Sequence, residues 1–425
     1  MSPPHSQLTR ARDTTASDEQ ELSLEDYHRS ALSFSSFRIY FVGSVLAMNA
    51  LRLGALAQGL LMWELTGSTL SLGSLAAAVA IPMMVVNVFG GVFADRYEAR
   101  FLLGSSSLIG ALLLVILGVL YMTNTVEPWH VFTVAIFSGL VAGADQPSRQ
   151  SFFPSLVPKS AVKSAVTING SLLASASVIA PTFGGILIAV TGLHIGFFVA
   201  ALGWVAMLIT TLFLPDRGIF SNTRSVVSDL WIGFGFIKAN RVILVLTLLA
   251  FSNMLMGFGW IAILPAYVDR FDGGAQEVGY MFSSAGVGAL TGIIVSGSLS
   301  AGRFQGLVIL AAAAAFSLIM LFVSYSEFLF LSMVLAAFAH FGNGLFNISS
   351  LVAVQIRVPE NIRGRVMGVY AISQSIGVLG GLWAGFFADT FGIRVGMMVG
   401  PLILLVMILV ITLTQSSVRN LHENP

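Results

Sequence analysis

Cysteine is absent from all 425 residues. That excludes a disulfide framework, a Cys-ligated metal and thiol chemistry. Charge is nearly as scarce. Asp, Glu, Lys and Arg make up 10% of the chain, where a soluble domain carries roughly a quarter. The net charge of +1 gives no electrostatic ground for a nucleic-acid partner. No Gly-x-x-x-x-Gly-Lys-Ser/Thr loop occurs, and no polar stretch is long enough to form a nucleotide-binding domain. No His/Asp/Glu cluster has metal-ligand spacing, and no nucleophile–base–acid set stands out. The sequence therefore gives no ground for an enzyme, a metal or a cofactor. The chain has instead 56% hydrophobic residues and a mean hydropathy of +0.88. Such a composition cannot be covered by a polar surface and needs lipid as its solvent.

Twelve apolar runs are long enough to cross a bilayer, which takes about 20 residues each. They fall near 37–64, 70–93, 101–123, 128–146, 164–190, 194–214, 242–266, 277–299, 305–324, 327–352, 364–388 and 394–414. The long connection, 215–241, divides them six and six. Residues 1–36 read as a disordered polar arm with no signal-peptide core, and 415–425 as a short tail. Basic residues fix the direction, because they collect on the cytoplasmic side. With both termini inside, 18 of the 21 Lys and Arg lie in cytoplasmic segments; Arg270 and Arg394 lie outside, and Arg52 lies within the first span. In the linker, Leu230, Phe234 and Ile237 recur at helical spacing, which predicts a helix in the cytoplasmic interface.

The halves resemble each other. "TGLHIGFFV" at 191–199 matches "FGIRVGMMV" at 391–399, and "LVPKSAVKSAV" at 156–166 matches "RVPENIRGRV" at 357–366. Duplicated bundles with a site between them are a transporter architecture.

The cytoplasmic loop after the second span reads "GGVFADRYEAR". Its Gly91, Asp95, Arg96 and Arg100 resemble the loop signature of the major facilitator superfamily, with the usual second glycine missing. "WELTGS" (63–68), "DQPSRQSFFPSLVP" (145–158), "APTFGG" (180–185) and "QIRVPENIRGRVMG" (355–368) are similar to the drug-and-siderophore exporter branch, grouped with enterobactin and macrolide efflux proteins. The resemblance covers the chain from residue 37 onward. It implies an all-α membrane protein of twelve transmembrane helices in two pseudo-symmetric six-helix bundles, with bundles at 37–214 and 242–414. It further implies a monomeric secondary transporter of the bacterial cytoplasmic membrane. That transporter would export an amphipathic drug-, macrolide- or siderophore-type molecule by alternating access, in exchange for protons. The alternative is an importer or lysolipid flippase of the same fold.

The same resemblance assigns roles to motifs. Asp95 would accept hydrogen bonds from the free N–H groups that open the eleventh span, near Arg363 and Arg365, and so latch the cytoplasmic side. Asp145 and Arg149 are expected to gate or anchor near it. Pro181, Gly184 and Gly185 form the exporter motif of the fifth span, where a proline bend and small residues allow a pivot.

Polar groups at bilayer depth are candidate substrate contacts. Arg52 lies about 22 Å into the first span at 1.5 Å per residue, with Asn49 one turn before it. Asn253 and Trp260 share a face of the seventh span. His340, Asn343 and Asn347 lie in the tenth and Gln374 in the eleventh. Arg52 is expected to bind or gate an anionic or phenolic substrate. His340 is expected to sense protons or touch substrate, since its titration falls near neutrality. No Asp or Glu occupies a midplane position, so the proton carrier has no assigned residue. If Asp95 is a latch, Asp95→Asn is expected to slow turnover and leave substrate affinity nearly intact; transport kinetics in vesicles check this, and a change confined to affinity contradicts it.

Overall fold

The computed structural model describes residues 30–96, 98–215, 226–299 and 304–421, with the side chains at 88–96, 174, 226–229, 298–299 and 374–375 outside the description. The polar arm and most of the linker coil therefore fall outside the described residues.

The first bundle runs α1 (Ser35–Thr66), α2 (Thr69–Arg96), α3 (Ala99–Met122), α4 (Pro128–Phe152), α5 (Val162–Thr191) and α6 (Leu193–Leu212). The linker carries α7 (Val226–Ala239). The second bundle runs α8 (Arg241–Gly257), α9 (Leu264–Asp269), α10 (Ala275–Leu299), α11 (Gln305–Tyr325), α12 (Leu329–Arg357), α13 (Glu360–Ile376), α14 (Gly380–Phe391) and α15 (Ile393–Thr414). Among the described residues no strand occurs, as a bilayer demands of a chain that does not close a barrel. Eleven helices are long and apolar enough to span. The twelfth crossing is α4, whose 25 residues include Asp145 and Arg149; those charges lower its hydropathy.

Turns are tight where the sequence provides glycine. Gly67 closes α1 at φ 57°, with its N–H on the carbonyl of Trp63 at 2.8 Å. Gly192 and Gly392 stand at φ 90° and 94° between the fifth and sixth and the eleventh and twelfth spans. These two positions belong to the matched segments of the two halves, so the same left-handed turn occurs twice. A side chain would be strained at either one.

Two spans expected as continuous helices are broken. The seventh is α8, a 3-10 turn at Gly259–Ile261, and α9. The eleventh is α13, a 3-10 turn at Gly377–Leu379, and α14. The breaks meet: a Cβ on Gly259 would lie 2.5 Å from the carbonyl oxygen of Gly380, and one on Gly380 2.4 Å from that of Leu255. Glycine at both positions lets the two backbones touch. The Leu255 carbonyl, released from its helix, accepts from Trp383 Nε1 at 2.9 Å. The backbone group is thus satisfied inside the membrane, which is the condition for a break there.

The linker helix α7 does not lie free on the bilayer. Gly233 packs on the backbone of Arg365 and Leu230 faces Gly368, while Ile237 is buried. Trp231 and Phe234 point outward, 69% and 49% exposed. The helix thus packs one face on the start of the eleventh span and leaves an aromatic face uncovered.

Between the bundles the close contacts lie on the side opposite the linker helix α7 and reach toward the middle of the helices. α2 meets α14 there: a Cβ on Gly73 would lie 2.3 Å from the carbonyl oxygen of Gly381 and one on Gly385 2.4 Å from that of Thr69. Ser68 Oγ donates to Asp389 Oδ1 at 3.0 Å, and Thr69 Oγ1 to the carbonyl of Gly385 at 3.1 Å. α5 meets α10 along Gly185, Gly279 and Gly286, with Thr182 and Ser283 hydrogen-bonded across the seam. The mouth on that side is closed. Gly279→Val is expected to hold it apart, because the added side chain would strike the Pro181 carbonyl. The cost would be about 1–3 kcal/mol, as for overpacked cores. Thiol labelling of a single cysteine placed at Gly59 from the external side checks it: faster labelling than in the parent is expected, and equal labelling contradicts it.

Candidate functional site

The direction of Arg52 follows from its neighbours on α1. Leu53 and Leu56 lie under Gly184 of α5, and Ser44 meets Arg149 of α4. Gly59 comes within reach of Pro265 in the second bundle. Arg52 precedes Gly59 by seven residues, two helical turns, and so shares its face. That face looks across to the other bundle. Arg52 is exposed there, and among the described residues no carboxylate or hydrogen-bond acceptor pairs with it. An unpaired guanidinium at bilayer depth is costly unless water or an anion reaches it. Asn49 behaves differently: its amide donates to the carbonyl of Val45 on its own helix at 2.7 Å.

The second bundle contributes a cavity of about 470 Å³, lined by Met254, Phe258, Asn343, Asn347, Met367 and Tyr370 among others. One wall is a chain of amides. Asn347 Nδ2 donates to Asn343 Oδ1 at 2.7 Å, and Asn343 Nδ2 donates to Asn253 Oδ1 at 2.9 Å. The rest of the lining is mostly apolar and sulfur-bearing. An amphipathic molecule could lay its apolar body there and spend its polar groups on the amides.

His340 is one layer behind this cavity. It is 4% exposed, its Nδ1 contacts the carbonyl of Ala336 at 2.9 Å, and Trp260, Phe316 and Phe258 surround it edge-on at 5.2, 5.4 and 6.1 Å. The backbone oxygen accepts, so Nδ1 carries the hydrogen. His340 Nε2, Trp260 Nε1 and Asn253 Nδ2 are buried without hydrogen-bond partners. The cage is apolar, and Phe258 separates the imidazole from the cavity it lines.

Of the other expected residues, Arg100 donates to the carbonyl of Leu212 at 3.2 Å, tying the loop to α6 of its own bundle. Arg363 approaches Glu360 at 3.9 Å, near the helix start where it was expected. Arg365 carries Gly233 of α7 against its backbone. The side chains of Asp95, Arg96 and Gln374, and the surroundings of Gly91, lie outside the described residues. Pro181 and Gly185 sit on α10 of the opposite bundle, while Gly184 faces α1. Asp145 and Arg149 form a buried pair inside the first bundle, at 2.5 Å, with Ser44 of α1 bonded to Arg149 Nη1 at 3.1 Å. The partners of Arg149 besides Asp145 are Ser44, Met207 and Tyr40, all of the first bundle. Sequence reasoning passed over Tyr40 and Ser44, which complete that cluster, and Ser68, Thr182, Ser283 and Asp389, which join the bundles. Hydroxyl residues are common in membrane helices, and nothing in their spacing marked these.

Two bundles of membrane helices around a shared space define a transporter of the major facilitator class. The chain belongs to the transmembrane secretion effector family, whose model matches residues 29–424. It is 26% identical over 362 residues to an enterobactin exporter of Escherichia coli O1:K1 / APEC, covering 82% of this chain and 85% of the relative. It is 24% identical over 358 residues to the enterobactin exporter of Shigella boydii serotype 18, with the same coverage of each. Among solved structures it resembles a variant of the nucleoside transporter NupG, at a TM-score of 0.72 and 17% identity, covering 90% of this chain and 100% of that one. It also resembles a bacterial homolog of the human lysosomal transporter Spinster in an inward-facing, unoccupied conformation, at a TM-score of 0.72 and 14% identity, covering 90% and 98%. These likenesses carry the fold. A membrane transporter of this family is not an enzyme.

Asn343 is the hinge of the amide chain, accepting from one neighbour and donating to the other. Asn343→Ala would leave a buried partner unsatisfied, at about 1–3 kcal/mol, a drop of roughly 2–4 °C per kcal/mol for a unit of this size. Thermal unfolding in detergent checks it, and an unchanged midpoint contradicts it.

Proposed function

We propose that this transporter exports an amphipathic small molecule bearing an anionic or phenolic group, of the siderophore, drug or macrolide type, across the bacterial cytoplasmic membrane. Export proceeds by alternating access in exchange for protons. The observation that carries the reading is Arg52. It faces the space between the bundles, and among the described residues no carboxylate neutralises it. A ligand that brings its own negative charge would supply the missing partner, and the cavity beside Asn343 and Asn347 would take its apolar body. The similarity to enterobactin exporters supports export over import. The enterobactin that those relatives' names specify is the first compound to test. The substrate contacts proposed are Arg52, Asn343 and Asn347, with Asn253 and Trp260 supporting the wall behind them.

Inverted membrane vesicles given radiolabelled enterobactin from outside test this. Arg52→Ala is expected to lower uptake into inverted vesicles by roughly 10- to 100-fold, the worth of one charge-assisted hydrogen bond. Arg52→Lys should retain part of the rate, because the charge remains but the planar fork is lost. Equal rates in parent and Arg52→Ala, at equal protein in the membrane, remove Arg52 from the site. Accumulation by intact cells rather than by inverted vesicles reverses the direction.

A further inference from the structure

The Asp145–Arg149 pair has an unusual distribution of satisfied and unsatisfied atoms. Asp145 is 4% exposed, Arg149 5% and Tyr40 1%. Arg149 Nε holds Asp145 Oδ2 at 2.5 Å, and Arg149 Nη1 holds Ser44 Oγ at 3.1 Å with Met207 Sδ at 3.8 Å. Two atoms of the pair itself, Asp145 Oδ1 and Arg149 Nη2, have no hydrogen-bond partner, and the Tyr40 hydroxyl lies beside Arg149 and Ser44. Leaving buried polar atoms unpaired costs stability, and here an acceptor and a donor of one ion pair are left together. Among the described residues, the titratable groups facing Asp145 are Arg149 from α4 itself and Tyr40 from α1. α6 contributes Met207, and α2 lays Met83 and Val86 against Gly143, two residues before Asp145 and on the other side of the helix. Asp95 and Arg96, at the end of α2, lie outside the described residues.

We propose that Asp145 is the proton-binding site of this transporter. The inference rests on the proton-exchange reading above and names its carrier. A hydronium ion gives its proton to Oδ1, one O–H bond breaking as one forms and a water molecule leaving, and the neutral carboxyl turns its new O–H toward the Tyr40 oxygen. Arg149 keeps its charge throughout and loses its neutralising partner. A buried unpaired guanidinium favours any conformation that wets it, so protonation acts on the packing of α4 against α1. Asp145 lies seven residues, about 10 Å, from the cytoplasmic end of α4. Ser44 and Arg52 stand eight residues apart on α1, so the helix that carries the proposed substrate cation also touches the partner of the proton site. The caged His340, behind Phe258, has no such connection to the space between the bundles.

Proteoliposomes with enterobactin as the probe provide the test, together with infrared spectra of the purified protein on acidification. Asp145→Asn is expected to lose gradient-driven transport at least tenfold while still exchanging enterobactin across the membrane without a gradient. It should also lose a protonated-carboxyl band that the parent shows. Tyr40→Phe should slow gradient-driven transport several-fold and leave exchange as it was, which a merely structural hydroxyl would not do. If Asp145→Asn does not reach the membrane, Asp145→Glu decides: it must keep the gradient response and shift the band, and an unshifted band overturns the proposal. Gradient response or the band persisting in Asp145→Asn also overturns it. Parent protein that transports enterobactin without regard to the gradient overturns proton exchange and this site with it. Parent protein that does not move enterobactin overturns the substrate reading alone, and the infrared band still decides the proton site.

Discussion

Backbone-to-backbone contact between the two bundles, on the side opposite the linker helix, is the constraint on which the rest depends. Gly73 against Gly381 and Gly185 against Gly279 bring helices together at distances where a Cβ cannot fit. In a membrane, apolar side chains gain little by leaving lipid for one another. Association then rests on close packing and on hydrogen bonds such as Ser68 to Asp389. A seam of this kind holds without a large apolar interface. It can also part without exposing one, because each contact is a small backbone patch with a few hydroxyls. The proline of α5 lies on the same seam, with its carbonyl facing Gly279.

Polar groups divide into two kinds around that seam. Some are held inside one bundle: the amide chain from Asn253 to Asn347, the Arg149 pair, and His340 in its aromatic cage, each keeping one or more buried atoms without a partner. Arg52 is of the other kind, exposed toward the opposite bundle. In a hydrocarbon setting the first kind fixes the shape of a bundle, and the second kind is free to answer to what enters between them. The broken seventh and eleventh spans add a third element. Their crossing at Gly259 and Gly380 places irregular backbone deep in the second bundle, with the released Leu255 carbonyl capped by Trp383.

The crossings and the class of the fold were legible in composition, because a chain with 10% charge has few alternatives to lipid. The glycine turns at 192 and 392 were legible as a repeat, although their left-handed geometry was not. The breaks in the seventh and eleventh spans were hidden, since apolar runs read the same whether straight or interrupted. So was the environment of each polar residue. Arg52 reads in sequence as a lone charge in an apolar span, and Arg149 as a gate or anchor group past the end of the fourth span. Only the packing shows that one has Asp145 and Ser44 while the other faces open space. The inner face of α1 could be inferred from Gly59 only after Pro265 was seen opposite it. Asp95, the most conspicuous motif residue, lies outside the described side chains, so the cytoplasmic latch stands where the sequence put it, as a proposal.

The central claim is that the two bundles turn as units about the external seam, one mouth closing as the other opens. The absence of native cysteine makes paired spin labels straightforward. Labels at Leu70 and Thr390 report the external mouth, and labels at Lys159 and Asn361 the cytoplasmic one. Pulsed electron paramagnetic resonance in lipid discs, with and without enterobactin across acid and neutral pH, gives both distances. Opposite changes are expected, the external pair lengthening when the cytoplasmic pair shortens. Two distances that stay fixed under every condition, or that lengthen together, contradict the account.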